Sequence, residues 1–325
     1  MANVPTSASG YEALASTALG SGIVYGGMIK DRNWESDFIP YICNTSVLDD
    51  LLRCGQVIQF NKPPRVGAWR TYELNQNLVS DQVTPESTCL SICRMGYKSI
   101  KFDKTDIYRA CNHWTAFESA FLDDAWRQLS NLWQREVLTG MMLHTSSVNA
   151  GKTAGRYKNI DMGTVGSPLH LTPDNLINFL AKQRELLSDM GRWYDGEMFM
   201  LVPRQFNTLI MQTLYNKQWC CDTGSSVLIK GLKTPDLQGF TVYETDKLRP
   251  VVETGTNRLV YPILAGWQDA YGFAGDIIEA ELAKPAGVNF GVLYNMLTIF
   301  GGGVIYPEAL TKAYVTFSTD AVVGG

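Results

Sequence analysis

Charge is scarce in this chain. Only 18% of its 325 residues are Asp, Glu, Lys or Arg, against about 25% for an ordinary soluble domain. A chain this poor in charge either has a large core or carries much neutral surface that faces other subunits. Composition alone does not choose between the two. Histidine is scarcer still, with only His113, His144 and His170. No HExxH, no GxSxG elbow and no Cys beside a candidate base occurs, so neither a zinc protease nor a His-based triad is expected. The seven cysteines are Cys43, Cys54, Cys89, Cys93, Cys111, Cys220 and Cys221. They form no CxxC and are irregularly spaced, so neither a zinc site nor a disulfide framework is expected. Reduced thiols in a cytoplasm are the default.

Other absences narrow the class further. No stretch is a run of Lys and Arg, and the net charge is −4. Contact with nucleic acid is therefore expected to be loose rather than sequence-specific. No run of about 18 apolar residues is present, so no membrane span is predicted. Met1 to Tyr11 is polar, without a basic start and an apolar centre, and so is not a signal peptide. Without secretion, the glycosylation pattern at Asn44-Thr45-Ser46 carries no meaning.

What is present suffices for one sizeable core or two moderate ones: 45% of the residues are hydrophobic. Residues 1–35 are rich in Ala, Ser, Gly and Thr and read as a flexible arm. Phe38 to Ile42 is an apolar patch that can anchor it, and Asn44 to Leu52 reads as a short helix. Val57 to Phe60 is a short strand stopped by Asn61-Lys62-Pro63-Pro64. Gln56 to Ser87 shows no lasting period and reads as a long hairpin or loop projecting from the body. Leu90 to Ile107 is strand-like, with Ile100 and Phe102 on one side.

The longest helix follows. Thr115 to Glu118 matches a capping box. Phe117, Phe121, Leu122, Ala125, Trp126, Leu129, Leu132, Trp133, Val137 and Leu138 then mark one wide apolar stripe, with Gln134 and the charged residues off it. This helix is predicted to run to about Gly140 or slightly beyond and to serve as a spine. Residues 145–168 read as a surface loop. A second helix opens at Thr172-Pro173-Asp174 and closes at Gly191. Glu197 to Val202 is a buried strand, and Pro203 opens a third helix with Phe206, Leu209, Ile210 and Leu214 inside. Gln218 to Gly231 is a loop. Strands are predicted at Leu237–Tyr243, Leu259–Ala265, Ala270–Leu282 and Tyr314–Phe317. Phe290 to Ile305, broken by Gly301-Gly302-Gly303, reads as strand, turn, strand. Helices and strands alternate without a regular βαβ beat, so the class is α+β.

The candidates for chemistry are weak. Ala150-Gly151-Lys152-Thr153 resembles the end of a phosphate loop, but Ser146 stands where the first glycine belongs and a helix precedes it. Gly20-Ser21-Gly22 with Gly26 misses the dinucleotide spacing by one. Asp123 and Asp124 diverge by about 100° on a helix, so they do not share a substrate. Glu279 and Glu281 share a strand face without an evident partner. Trp114, Trp126 and Trp133 fall at helical spacing and read as core. No catalytic, cofactor-binding or metal residue is assigned, and no cofactor is expected.

Four local stretches and the order of parts carry a resemblance. Met198 to Phe206 (MFMLVPRQF) looks like a strand-then-helix element. Asp236 to Tyr243 (DLQGFTVY) looks like a turn-then-strand. Leu264-Ala265-Gly266-Trp267 with Asp269 to Gly272 looks like the strand after it, and Gly301 to Leu310 (GGGVIYPEAL) like a closing element. Over roughly residues 40–317 the chain resembles the tailed-bacteriophage major capsid proteins, whose fold recurs in herpesvirus shells and encapsulins. The resemblance implies an N-terminal arm (1–50) and an extended loop (51–93). It implies a peripheral domain with the spine helix (94–168), an axial domain (169–284) and C-terminal peripheral strands (285–325). Residues 216–231 would form the axial tip.

The implied function is a non-enzymatic shell subunit that encloses a double-stranded DNA genome. It would assemble in the host cytoplasm as pentamers and hexamers and reside in the virion. Implied partners are further copies of itself, a scaffolding protein, a portal, a decoration protein and loosely held packaged DNA, with no membrane. The short arm favours a separate scaffolding protein, or a chain already processed. Lys62 is available for a cross-link, but nothing marks an acceptor. Two other readings stand beside this one: an encapsulin-like compartment shell, and a cytosolic enzyme whose site is unrecognised.

Overall fold

The computed structural model describes residues 38–45, 57–61, 69–71, 74, 77, 80, 87–91, 94–104, 114–189, 198–216, 233–253, 258–283 and 290–317. Its elements, in order, are α1 (Ile39–Ile42), β1 (Val57–Asn61), β2 (Ser87–Ser91), β3 (Arg94–Asp103), α2 (Trp114–His144), a 3-10 turn (Ser147–Asn149), β4 (Leu169–Leu171), α3 (Leu176–Asp189), β5 (Met198–Val202), α4 (Arg204–Asn216), β6 (Lys233–Leu237), β7 (Phe240–Glu244), β8 (Val251–Val252), β9 (Leu259–Trp267), β10 (Tyr271–Ala283), β11 (Gly291–Val304) and β12 (Leu310–Phe317). The class is α+β, as predicted. No helix among the described residues is long and apolar enough to cross a membrane.

The chain divides into two units. Among the described residues, one takes in those from 94 to 133 and from 275 to 300, the other those from 38 to 91, from 134 to 274 and from 301 to 317. In the second unit, a sheet runs in the order β4-β12-β9-β5-β7-β6, with β8 beside β9. Met198, Met200 and Val202 lie on the same side of this sheet as Phe240, Val242, Ile263, Ala265, Ala313 and Val315, because cross-strand partners share a face. That side packs against Leu176, Phe179 and Leu180 of α3 and Phe206, Leu209 and Ile210 of α4 in one core. Burying each such side chain contributes roughly 1.5–3 kcal/mol. β5 is buried on both faces, which is why its sequence is a continuous apolar run.

One group of buried polar side chains inside this core is paired. Gln183 of α3 is 0% exposed. It donates to Met162 Sδ and accepts the hydroxyl of Thr311, which also reaches Ala265 O at 3.3 Å. One side-chain ladder thus ties together the 162 loop, α3, β12 and β9.

Several predictions need correction. α2 begins at Trp114, so Thr115 lies inside the helix rather than capping it; its end at His144 is slightly beyond Gly140, as predicted. Within it, Gln134 is buried at 1% while Trp126 is 51% exposed; apolar spacing marks a face but not the part of it that is covered. A turn at Thr172–Asn175 leads into α3: Asn175 N and Leu176 N donate to Thr172 O at 3.2 and 3.1 Å, and Asn175 Oδ1 reaches back to accept from Thr172 N at 2.8 Å, which fits the predicted start at Thr172. Leu237–Tyr243 is a hairpin and not one strand: β6 and β7 meet at Gln238 and Gly239, both at positive φ (58° and 86°), the backbone of a two-residue turn. Residues 145–168 are not a bare surface loop, since Ala154, Ile160 and Met162 enter the core. Gly301-Gly302-Gly303 makes no turn; β11 is one strand of 14 residues. Asn44 is bridged to Gly272 and α1 precedes it, so a helix does not begin there. The rest of that prediction, the Gln218–Gly231 loop and Gly191 lie outside the described residues.

In the first unit, β3 pairs antiparallel with β11 from Arg94↔Phe300 to Asp103↔Gly291. The sheet order is β10-β11-β3. In the second unit, β1 and β2 pair antiparallel from Val57↔Ser91 to Asn61↔Ser87, which closes the base of the segment predicted as a hairpin.

Candidate assembly surfaces

Residues singled out for chemistry do not converge. Gly151 has φ +86°, and its carbonyl accepts from Met162 N at 2.8 Å, while Lys152 is exposed. The segment is therefore a pinned turn before a buried loop, not a phosphate cradle opening a helix. Asp123 and Asp124 are exposed on α2, and Asp124 accepts from Gln128 Nε2. His144 ends α2, and His170 on β4 lies 3.4 Å from the Thr316 hydroxyl. Among the described residues, no three of His, Cys, Asp and Glu come together as a metal cluster. Gly20 to Gly26, Cys54, Lys62, Cys111, His113, Cys220 and Cys221 lie outside the described residues.

The surface of the first unit is more informative. Between α2 and the three-stranded sheet lies a groove of about 260 Å³, lined chiefly by Trp126, Leu129, Leu132, Met296, Thr298 and Ile277. At its rim Lys98 Nζ donates to Gln128 Oε1 at 2.9 Å. Alternation puts Gly96, Lys98, Ile100 and Phe102 on one side of β3. Of these, Phe102 is buried, and its ring meets Tyr294 edge-on at 5.5 Å. Met95 and Tyr97 point the other way and are 65% and 84% exposed. Their partners across the ladder are Ile299 and Leu297. A monomer rarely leaves large apolar side chains grouped in this way, and such groups mark contact surfaces.

Arg94, Lys98, Lys101 and Lys104 are all exposed on or just after β3. They are spaced too widely to read as a run, which is why the sequence shows no basic stretch. The strand is also the edge of its sheet: among the described residues only β11 pairs with it.

In the second unit, the end of α2 is closed by distant side chains. Thr145 Oγ1 donates to Met141 O, and Lys312 Nζ donates to Met142 O at 2.9 Å. An ammonium at this end also meets the negative pole of the helix dipole. Burial pulls the Lys312 ammonium below its ordinary value. Burial holds Tyr243 and Tyr314 above theirs, and the neighbouring Tyr41 adds to the effect at Tyr243. Asn149, wholly buried, donates through Nδ2 to Glu308 O and Leu310 O. This fixes the turn after α2 onto the start of β12.

No family model matches the chain, and no curated protein matches it. Solved structures do. The capsid of cyanophage P-SCSP1u matches with a TM-score of 0.64 at 12% identity, over 91% of this chain and 93% of that chain. The capsid of cyanophage Pam1 matches with a TM-score of 0.63 at 13% identity, over 91% and 96%. A structure from Mycobacterium phage Che8 gives 0.61 at 13% identity, over 91% and 96%. Likeness at such low identity is likeness of fold. The chain has the fold of these phage chains, two of them from capsid structures, as the resemblance implied.

Proposed function

We propose that this chain is the major capsid protein of a tailed bacteriophage, a structural subunit that assembles into the icosahedral shell around the double-stranded DNA genome. The observation that carries the proposal is the fold match, which runs nearly end to end in both partners: 91% of this chain and 96% of the cyanophage Pam1 capsid chain. A shared fold does not by itself assign function. The exposed apolar side chains Tyr97, Met95 and Trp126 add a second support, because shell subunits bury such surface only when neighbours arrive.

On this reading, residues 1–50 reach a neighbour and residues 51–93 lie over an adjacent subunit. Residues 94–168, with C-terminal strands from 285 onward, form the peripheral body. Residues 169–284 form the axial body. Pentamers and hexamers arise from heterologous contacts that close into rings. Scaffolding, portal and decoration proteins are the further partners, and the modest negative charge keeps packaged DNA from adhering to the wall. The subunit assembles in the host cytoplasm, resides in the virion and performs no catalysis. No observation favours the compartment-shell or enzyme alternatives.

The test is expression of the chain, with a candidate scaffolding protein, followed by negative-stain microscopy. Closed particles of uniform diameter are expected. Discrete small oligomers at all concentrations would contradict the proposal.

A further inference from the structure

β3 combines two properties that bear on what it binds. Its outer edge carries no paired strand among the described residues, and an unpaired edge is a template for an added strand. Its exposed side chains are also strongly cationic: Arg94, Lys98, Lys101 and Lys104, with Asp103 the only acid from 94 to 104. Lys98 bonds to the neutral Gln128 amide, not to a carboxylate. Lysines on an edge suppress indiscriminate pairing. By the same charge Arg94 and Lys98, on one side of the strand, select an acidic partner, since like charges facing one another across a ladder are destabilising and opposite charges favourable.

The chain contains an acidic segment of the right length. Residues 31–37 read Asp-Arg-Asn-Trp-Glu-Ser-Asp. Extended, this segment puts Asp31, Asn33, Glu35 and Asp37 on one side and Arg32, Trp34 and Ser36 on the other, by the two-residue period of a strand. We propose that the outer edge of β3 receives residues 31–37 of a second copy of this chain as an added antiparallel strand. In the register that sets Asp37 opposite Arg94, Asn33 faces Lys98 and Glu35 lies diagonal to both cations. The same register places Trp34 opposite Tyr97, on the face where Tyr97 is exposed. The inference rests on the shell reading, which supplies the second copy, and it identifies where the N-terminal arm is held. A nucleic acid would also answer to the cations, but it would leave the backbone edge unpaired. An acidic strand satisfies both.

The experiment uses the full chain with p-benzoyl-phenylalanine in place of Tyr97, assembled from a mixture of isotope-labelled and unlabelled copies. After irradiation, mass spectrometry is expected to find cross-links from residue 97 to residues 31–37 of the other isotopic copy. Their yield should fall several-fold in an Arg94→Glu/Lys98→Glu variant, which reverses the two cations that this register sets against Asp37 and Glu35, and recover when that variant is mixed with a Glu35→Lys/Asp37→Lys partner. Cross-links to another segment, to nucleic acid or only within one copy overturn the inference while leaving the shell reading intact. A chain that forms no assembly with Tyr97 unaltered overturns both.

Discussion

Tyr271 occupies the space that a side chain on Gly140 would need: a Cβ built at Gly140 would overlap the Tyr271 hydroxyl, with two ring carbons 3.0 Å away. On the opposite flank, a Cβ on Gly302 would come within 2.8 Å of the same ring. The ring is buried, so α2 and β11 close on it only because both carry glycine at the crossing.

Gly140→Ala is therefore predicted to destabilise. A glycine inside a helix costs about 1 kcal/mol relative to alanine, yet overpacking here costs about 1–3 kcal/mol. Net loss is expected in urea unfolding of the unassembled subunit. Tyr271→Phe in the same chain removes the atom in most severe conflict and should recover part of the loss. A stabilised Gly140→Ala would show that the ring yields freely.

Gln183 and Thr311 form a buried pair, so truncating one strands the other. Gln183→Ala leaves the Thr311 hydroxyl without this acceptor and opens a cavity, a loss of about 2–4 kcal/mol by the combined costs of the two effects. Gln183→Met preserves volume and should cost less. Equal losses for the two substitutions would mean that the hydrogen bond, and not packing, carries the whole effect.

Stability should respond to alkaline pH in opposite directions at two groups. Burial raises the folded value for Tyr314, so its contribution is complete below pH about 10, the unfolded phenol value, and is lost as pH rises through the folded value. Lys312 is lowered from 10.5. The unfolded chain then binds more protons in the window below that value, and stability rises with pH across it. Unfolding measured from pH 7 to 11 should show a smaller alkaline loss in Tyr314→Phe. In Lys312→Met it should show a missing gain just below pH 10.5. Curves parallel to the original in both variants would remove the burial argument.

The groove lining separates folding from assembly. Trp126 is half exposed, so Trp126→Glu should leave the melting temperature of the free subunit nearly unchanged. Assembly followed by light scattering should fall sharply, because buried aromatic anchors dominate contact energy. Unchanged assembly would place this groove away from any contact between copies.

The spine helix, the second and third helices and most strands were legible because their apolar residues keep a period of 3.6 or 2. The failures share a cause. Gly301 to Gly303 signal a turn by composition, but at least Gly302 is there to admit the Tyr271 ring, a contact with a residue 31 positions away. Gln238-Gly239 lacks the Asn or Asp that usually announces a tight hairpin, although both residues take positive φ. Ala154, Ile160 and Met162 enter the core without any period, among Ser, Gly and Asn that suggest a loop. The basic edge of β3 was hidden because strand geometry, not sequence adjacency, groups Arg94, Lys98, Lys101 and Lys104. The absence of a motif among His113, His144 and His170 was readable at once, since chemistry of that kind needs specific residue types at specific spacing.

The most direct test is a cryo-electron microscopy reconstruction of particles formed by the expressed chain. The account predicts a closed icosahedral shell whose subunits carry this fold, with Tyr97, Met95 and Trp126 covered by adjacent copies. Monomers or small rings in which these three side chains remain open to solvent would contradict it.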